Sequence, residues 1–174
     1  MESFPHTTIF IIDDDNMLAM ALKSNLEEMF KKQDILVSVF ESGEESLSYI
    51  GQKPDVAIVD YQLVSKGDGT MDGAGIIDMI KKKSPQTEVL IFTAEEHADI
   101  AVKAMGHDAH DYIVKNDYMF RKLNLSVMQC LKLKKLRSEV RIQKTKSKIL
   151  TVSMALMAGA LIVIELWAPQ IFGK

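Results

Sequence analysis

DVAIVD, residues 55–60, is apolar from Val56 until its last residue, which is an aspartate. A run this short and this β-branched, with Pro54 just ahead of it, reads as a strand buried on both faces. The pattern recurs four times. TIFII (8–12) runs into three aspartates, Asp13 to Asp15, and ILVSVF (35–40), EVLIFT (88–93) and DYIVK (111–115) complete the set. Segments with helical spacing separate these runs: MLAMALKSNLEEMFKK (17–32), ESLSYI (45–50), AGIIDMIKKK (74–83) and EEHADIAVKAMGH (95–107). Ser42 and Glu45 have capping-box spacing at the start of the second. Five apolar strands alternating with helices predict an α/β fold, a parallel sheet covered on both faces.

In such sheets ligands sit at the carboxyl ends of the strands. The first strand delivers Asp13 and Asp14 there, the third Asp60, the fourth Thr93 and the fifth Lys115. Three carboxylates at one edge repel each other and raise each other's pKa. A hard divalent cation with oxygen ligands relieves that repulsion, and Mg²⁺ suits it because it binds a few carboxylates and keeps waters for a phosphate oxygen. A lysine and a hydroxyl can take the other oxygens of a phosphoryl group. The set makes chemical sense as an acyl-phosphate site with Asp60 as nucleophile.

The bulk properties are compatible with this. The 174 residues suffice for one ordinary domain and an appendage. The single cysteine, Cys130, excludes an internal disulfide and fits a reducing compartment. MESFPHTT (1–8) lacks a signal-peptide pattern, so a cytoplasmic location is expected for the front of the chain. The net charge of −3 is uneven: residues 1–116 hold 10 Lys+Arg against 21 Asp+Glu, a net of −11, and residues 117–174 hold 11 against 3, a net of +8. Other chemistries find less support. The glycines at 67, 69, 73 and 75 lack the lysine and hydroxyl of a phosphate loop, Asp68 and Asp72 do not follow a calcium-loop pattern, and the four histidines form no ligand set with Cys130.

After Asn116 the character changes. Residues 117–148 contain no proline or glycine and predict one long helix, amphipathic over 118–131. Residues 132–148 hold eight basic residues and one acid, Glu139. Sixteen residues without a charge follow, ILTVSMALMAGALIVI (149–164), and then Glu165 and Trp167. As a helix, 149–168 would be about 30 Å long, the hydrocarbon thickness of a bilayer. The basic stretch would lie on the cytoplasmic side. These features predict an anchor in the inner membrane; the competing expectation is a helix buried in a soluble oligomer. Ala155 and Gly159 have the spacing that permits close pairing in a homodimer. DNA binding is disfavoured, because about forty residues leave no room for a helix-turn-helix domain and the apolar run lacks a zipper's polar outer face.

The ordered motifs IIDDD (11–15), VDYQL (59–63), MDG (71–73), FTAEE (92–96) and DYIVK (111–115) resemble the receiver domain of two-component response regulators over roughly residues 7–130. The resemblance implies a flavodoxin-like, doubly wound five-stranded parallel sheet in the order 2-1-3-4-5, here with an extended C-terminal helix. It implies phosphorylation of Asp60 by a histidine kinase or phosphotransfer partner and contacts with a downstream protein target. Asp13, Asp14, Asp60 and the main-chain carbonyl of Gln62 would hold Mg²⁺, with Asp13 acting through water. Thr93 and Lys115 would bind the phosphoryl group, and Thr93 and Tyr112 would form the switch. Gln62 and Glu95 match positions that tune hydrolysis. The stretch VSKGDGTMD (64–72) is longer than the family's usual proline-containing loop, and Asn116 stands where many members have proline.

The expected layout is a receiver over 1–131, a basic helical linker over 132–148 and a hydrophobic helix over 149–174. The expected activity is phosphoacceptance with self-dephosphorylation only. One alternative is a tethered or oligomeric scaffold whose receiver fold mainly binds partners. A phosphatase of the haloacid-dehalogenase type would need a second aspartate where Gln62 stands.

Overall fold

Alternation along each strand assigns successive side chains to opposite faces of the sheet, and both faces here are apolar. The computed structural model describes residues 6–63, 72–94 and 106–172, with the side chains of the last stretch described as far as 161. Strands β1 (Thr7–Ile12), β2 (Ile35–Phe40), β3 (Val56–Asp60), β4 (Glu88–Thr93) and β5 (Asp111–Val114) form one sheet. Its order is β2-β1-β3-β4-β5, and all neighbours are parallel. The doubly wound α/β expectation therefore holds, with strand limits within one residue of those expected.

Every residue of β1, β3 and β4 is buried. Ile9, Ile11, Val56, Ile58, Leu90 and Phe92 face one core, shared with Leu22 and Leu26 of α1 (Asn16–Met29). Phe10, Ile12, Ala57, Val59, Val89 and Ile91 face the other, shared with Leu47 of α2 (Gly43–Ser48) and Ile76, Ile77 and Ile80 of α3 (Gly73–Lys83). Each of these helices starts on a side-chain cap. Asp15, Ser42 and Asp72 accept hydrogen bonds from the backbone N–H groups of Leu18, Glu45 and Gly75. Helix α1 stops at Met29, short of the expected residue 32, and α2 starts two residues earlier than expected, followed by a 3₁₀ turn at Ile50–Gln52. Most of the helix expected over 95–107, including Glu95, lies outside the described residues, as does the loop at 64–71.

The last element, α4 (Met119–Phe172), is a single long helix. The chain divides into two compact units, residues 1–134 and 135–174. Within the first, Leu123, Val127, Cys130 and Leu131 of α4 pack into the core with α1. Polar contacts fasten the same stretch. Asp111 of β5 accepts from Lys122 at 2.6 Å and from the Ser126 hydroxyl, and Lys134 pairs with Asp55.

Within the second unit, residues 136–161 are exposed all round, among them Ile149, Leu156, Met157 and Leu161. Among the described residues no helix is long and apolar enough to cross a membrane. The expected anchor at 149–168 lies within α4, and its side chains are described over 149–161. Side chains 162–168 lie outside the described residues.

Candidate functional site

The parallel sheet brings the strand ends predicted to matter to one edge. Asp60 is the last residue of β3, with Phe92 of β4 beside it in register, and Thr93 ends β4 opposite Val114 of β5. Asp13 follows β1, and its N–H donates to the carbonyl of Phe40 at the end of β2, 3.1 Å away. The N–H of Lys115 donates to the Thr93 carbonyl at 2.7 Å, which carries the β4–β5 pairing one residue beyond the strands.

Lys115 sits at the centre. Its ammonium donates to Asp60 Oδ2 at 2.8 Å and to Asp13 Oδ2 at 3.0 Å, and lies 5.4 Å from the centre of the Phe92 ring. The other oxygens of the two carboxylates take backbone donors: Asp13 Oδ1 accepts from the N–H of Asp15 at 2.9 Å, and Asp60 Oδ1 from that of Gln62 at 3.0 Å. Asp13 is 1 % exposed and Asp60 4 %. Such buried charges persist only when paired and hydrogen-bonded.

The electrostatics follow from that burial. Removal from water pushes the Asp13 carboxyl above its ordinary 3.8; the N–H of Asp15 and the charge of Lys115 pull it back without cancelling the rise. Burial would lower the Lys115 ammonium, but the hydrogen bond to Asp60 and the charges of Asp60 and Asp13 outweigh it and hold the ammonium above its usual range.

Asp13, Asp14 and Asp60 each offer an oxygen within 4.8 Å of the others. Three carboxylates so close, one of them raised in pKa by burial, suit a hard cation that binds oxygen. Gln62 lies two residues past the end of β3, in the turn that follows. Thr93 is fully buried, and Tyr112 of β5 is partly buried against the core on the α2–α3 side. Asp13, Asp14, Asp60, Thr93 and Lys115 thus come to one edge; Glu95 lies outside the described residues.

Two features escaped sequence reasoning. Gly73, the first residue of α3, lies so close to the end of β3 that an added Cβ would stand 2.7 Å from the carbonyl oxygens of Asp60 and Tyr61. The sequence signal was a glycine directly after a capping aspartate, where a helix former would be ordinary. Asp111 was read only as the start of a strand, but its contacts with Lys122 and Ser126 fasten α4 to β5. Its partners lie 11 and 15 residues downstream, and no local pattern predicts such a pairing.

Comparison with known proteins agrees with this geometry. The model of the response regulator receiver domain matches residues 9–124. The DNA-binding transcriptional regulator NtrC of Salmonella typhimurium is 31% identical over 108 residues, covering 62% of this chain and 21% of that protein. The regulatory protein LuxO of Vibrio cholerae is 28% identical over 106 residues, covering 60% of this chain and 21% of that one. The chain thus matches about a fifth of the length of these relatives. The signal receiver domain of a LuxO repressor protein from Vibrio parahaemolyticus superposes with a TM-score of 0.67 at 26% identity, covering 78% of this chain and 97% of that one. A CheY-like receiver domain from Methanospirillum hungatei, at 21% identity and a TM-score of 0.65, covers 76% and 98% and shares the fold. With the family model matching residues 9–124, the larger part of its length, the chain belongs to the response regulator receiver domain family.

Proposed function

We propose that this chain is a response regulator that accepts a phosphoryl group on Asp60 from a histidine kinase or a phosphotransfer protein. The observation that carries this reading is the position of Lys115, whose ammonium bridges the buried carboxylates of Asp13 and Asp60. Transfer breaks the phosphorus bond to the donor and forms one to a carboxylate oxygen of Asp60. Lys115, released from that oxygen, pairs with the new phosphoryl group, and the hydroxyl of Thr93 donates to another of its oxygens. Mg²⁺ held by Asp13, Asp14, Asp60 and the Gln62 carbonyl would neutralise charge on the transferring group. Gln62 and Glu95 would set the rate at which water removes it, so the only chemistry is self-phosphorylation and self-dephosphorylation.

The output is a change of protein contacts. Thr93 and Tyr112 move together on phosphorylation, and the face beside β5 presents a new surface to a downstream protein. The division of labour is a receiver over 1–131, a basic linker over 132–148 and a hydrophobic helix over 149–174. That helix inserts into the cytoplasmic membrane and keeps the receiver on the cytoplasmic side. Its support is the all-round exposure of the large apolar side chains of 149–161, which is unfavourable in water.

The test of the site is labelling with acetyl phosphate and Mg²⁺. Asp60→Asn abolishes labelling and the wild-type chain takes up one phosphoryl group. Undiminished labelling of the variant would place the nucleophile elsewhere.

A further inference from the structure

Helix α4 changes from densely cationic to uncharged at one point, between Lys148 and Ile149. At the helical rise, Lys148, Lys146, Lys144 and Arg141 lie about 1.5, 4.5, 7.5 and 12 Å before Ile149. Arg137 and Lys135 lie about 18 and 21 Å before it. Residues 141–161 are exposed throughout. Arg141, Lys144 and Lys148 fall within about 60° of one another around the axis at 100° per residue, and Lys146 falls on the far side. The only acid between 132 and 148, Glu139, is about 15 Å from Ile149.

We propose that Arg141, Lys144, Lys146 and Lys148 form a collar that docks on the phosphates of anionic lipid head groups, where α4 enters the bilayer. This rests on the membrane reading of the apolar segment and adds to it a lipid class. A head-group layer is about 5–7 Å thick on each side of the hydrocarbon. The Debye length at physiological salt adds about 8 Å. The reach of roughly 13–15 Å takes in the four collar residues and excludes Arg137 and Lys135. The cations lie on both sides of the axis, three on one side and Lys146 on the other. A duplex nucleic acid would also attract them, but it offers nothing to the exposed apolar residues that follow at once. A second copy pairing in parallel would set like charges against each other.

The experiment is flotation of the full chain with vesicles of phosphatidylcholine alone and of phosphatidylcholine mixed with phosphatidylglycerol, with duplex DNA run as a competitor. The wild-type chain binds both vesicles and prefers the anionic ones. Each cation near the surface contributes about five-fold, so K144Q/K146Q/K148Q weakens binding to anionic vesicles roughly a hundred-fold. The same variant binds neutral vesicles as wild type does, and K135Q/R137Q binds both as wild type does. Labelling of Asp60 by acetyl phosphate stays intact in both variants and reports that they fold. Equal wild-type binding to the two vesicles overturns the collar and leaves the membrane reading standing. So does an equal loss in K135Q/R137Q, or displacement from anionic vesicles by DNA. A wild-type chain that binds neither vesicle overturns the membrane reading and the collar with it.

Discussion

Replacing Lys115 with methionine keeps most of the side-chain volume and removes the charge that two carboxylates share. The ammonium is 2.8 Å from Asp60 and 3.0 Å from Asp13, with side-chain exposures of 16 % for the lysine, 2 % for Asp13 and 6 % for Asp60. Removing one partner of a pair this buried leaves charge without compensation, at a cost of about 3–5 kcal/mol. The sign of the pH dependence follows from the carboxylates. The penalty on Asp13 applies only while its carboxyl is ionised, and burial raises that carboxyl above its ordinary 3.8, so the penalty is full at neutral pH and shrinks as pH falls toward 3.8. Divalent cation should replace the missing charge, because a ligand that binds only the folded chain adds about 2.7 kcal/mol at a hundred-fold excess over its dissociation constant. Urea unfolding followed by far-ultraviolet circular dichroism, at neutral pH and near pH 3.8, with and without Mg²⁺, measures all three effects. A loss below about 1 kcal/mol at neutral pH would mean the pair is no stronger than a surface one. An equal loss at both pH values would assign the effect to packing of the side chain and not to its charge, and would refute the electrostatic account.

Three further outcomes are expected. Gly73→Ala drives a Cβ against the carbonyls of Asp60 and Tyr61; denaturant unfolding should show a loss of about 1–3 kcal/mol, and phosphoryl labelling of Asp60 should slow. Asp111 has its carboxyl pushed up by burial but held below its ordinary 3.8 overall by the hydrogen bonds from Lys122, Ser126 and the N–H of Tyr112. The stability it contributes is therefore present above 3.8 and lost as pH falls through its lower folded value, and Asp111→Asn should remove that part of the acid sensitivity, measured as unfolding free energy against pH. Cys130, 1 % exposed with its thiol pushed up to about 12 chiefly by burial, should resist a thiol reagent in the native chain and react at once in urea; rapid native labelling would contradict that packing.

The strands were legible because each is short and β-branched, with β1, β3 and β4 buried throughout, and because four of the five end in or run into a residue that carries chemistry. Strand β2 is the exception: it ends at Phe40, brings no side chain to the site and sits at the edge of the sheet. Asp13, Asp60, Thr93 and Lys115 could be named because period and topology place strand ends together without knowledge of packing. What could not be read depends on distance in space. The bridge from Lys115 to both aspartates joins residues 102 and 55 positions apart. The approach of Gly73 to Asp60 depends on how α3 seats on the sheet, and glycine carries no side chain to advertise it. The tail shows the limit in another form. An uncharged run of this length is the same string whether it meets lipid or another helix, and only what surrounds it distinguishes the two.

The start of α4 is where the proposed switch acquires a mechanical route. Tyr112 and Asp111 are adjacent on β5, and the N–H of Tyr112 donates to Asp111 Oδ1 at 2.8 Å. The other oxygen of Asp111 takes Lys122 and Ser126, one helical turn apart on α4. One carboxylate therefore ties the backbone of Tyr112 to the first turns of the helix. A rotation of Tyr112 that shifts its backbone changes the geometry of three hydrogen bonds to one charged group, and charge-assisted bonds lose energy steeply when bent. The hydrophobic contacts of Leu123 and Val127 are insensitive to such small shifts, since burial has no preferred direction. Signal transfer into α4 should accordingly depend on Asp111 more than on the apolar residues beside it, although those residues supply more of the stability with which the helix is held.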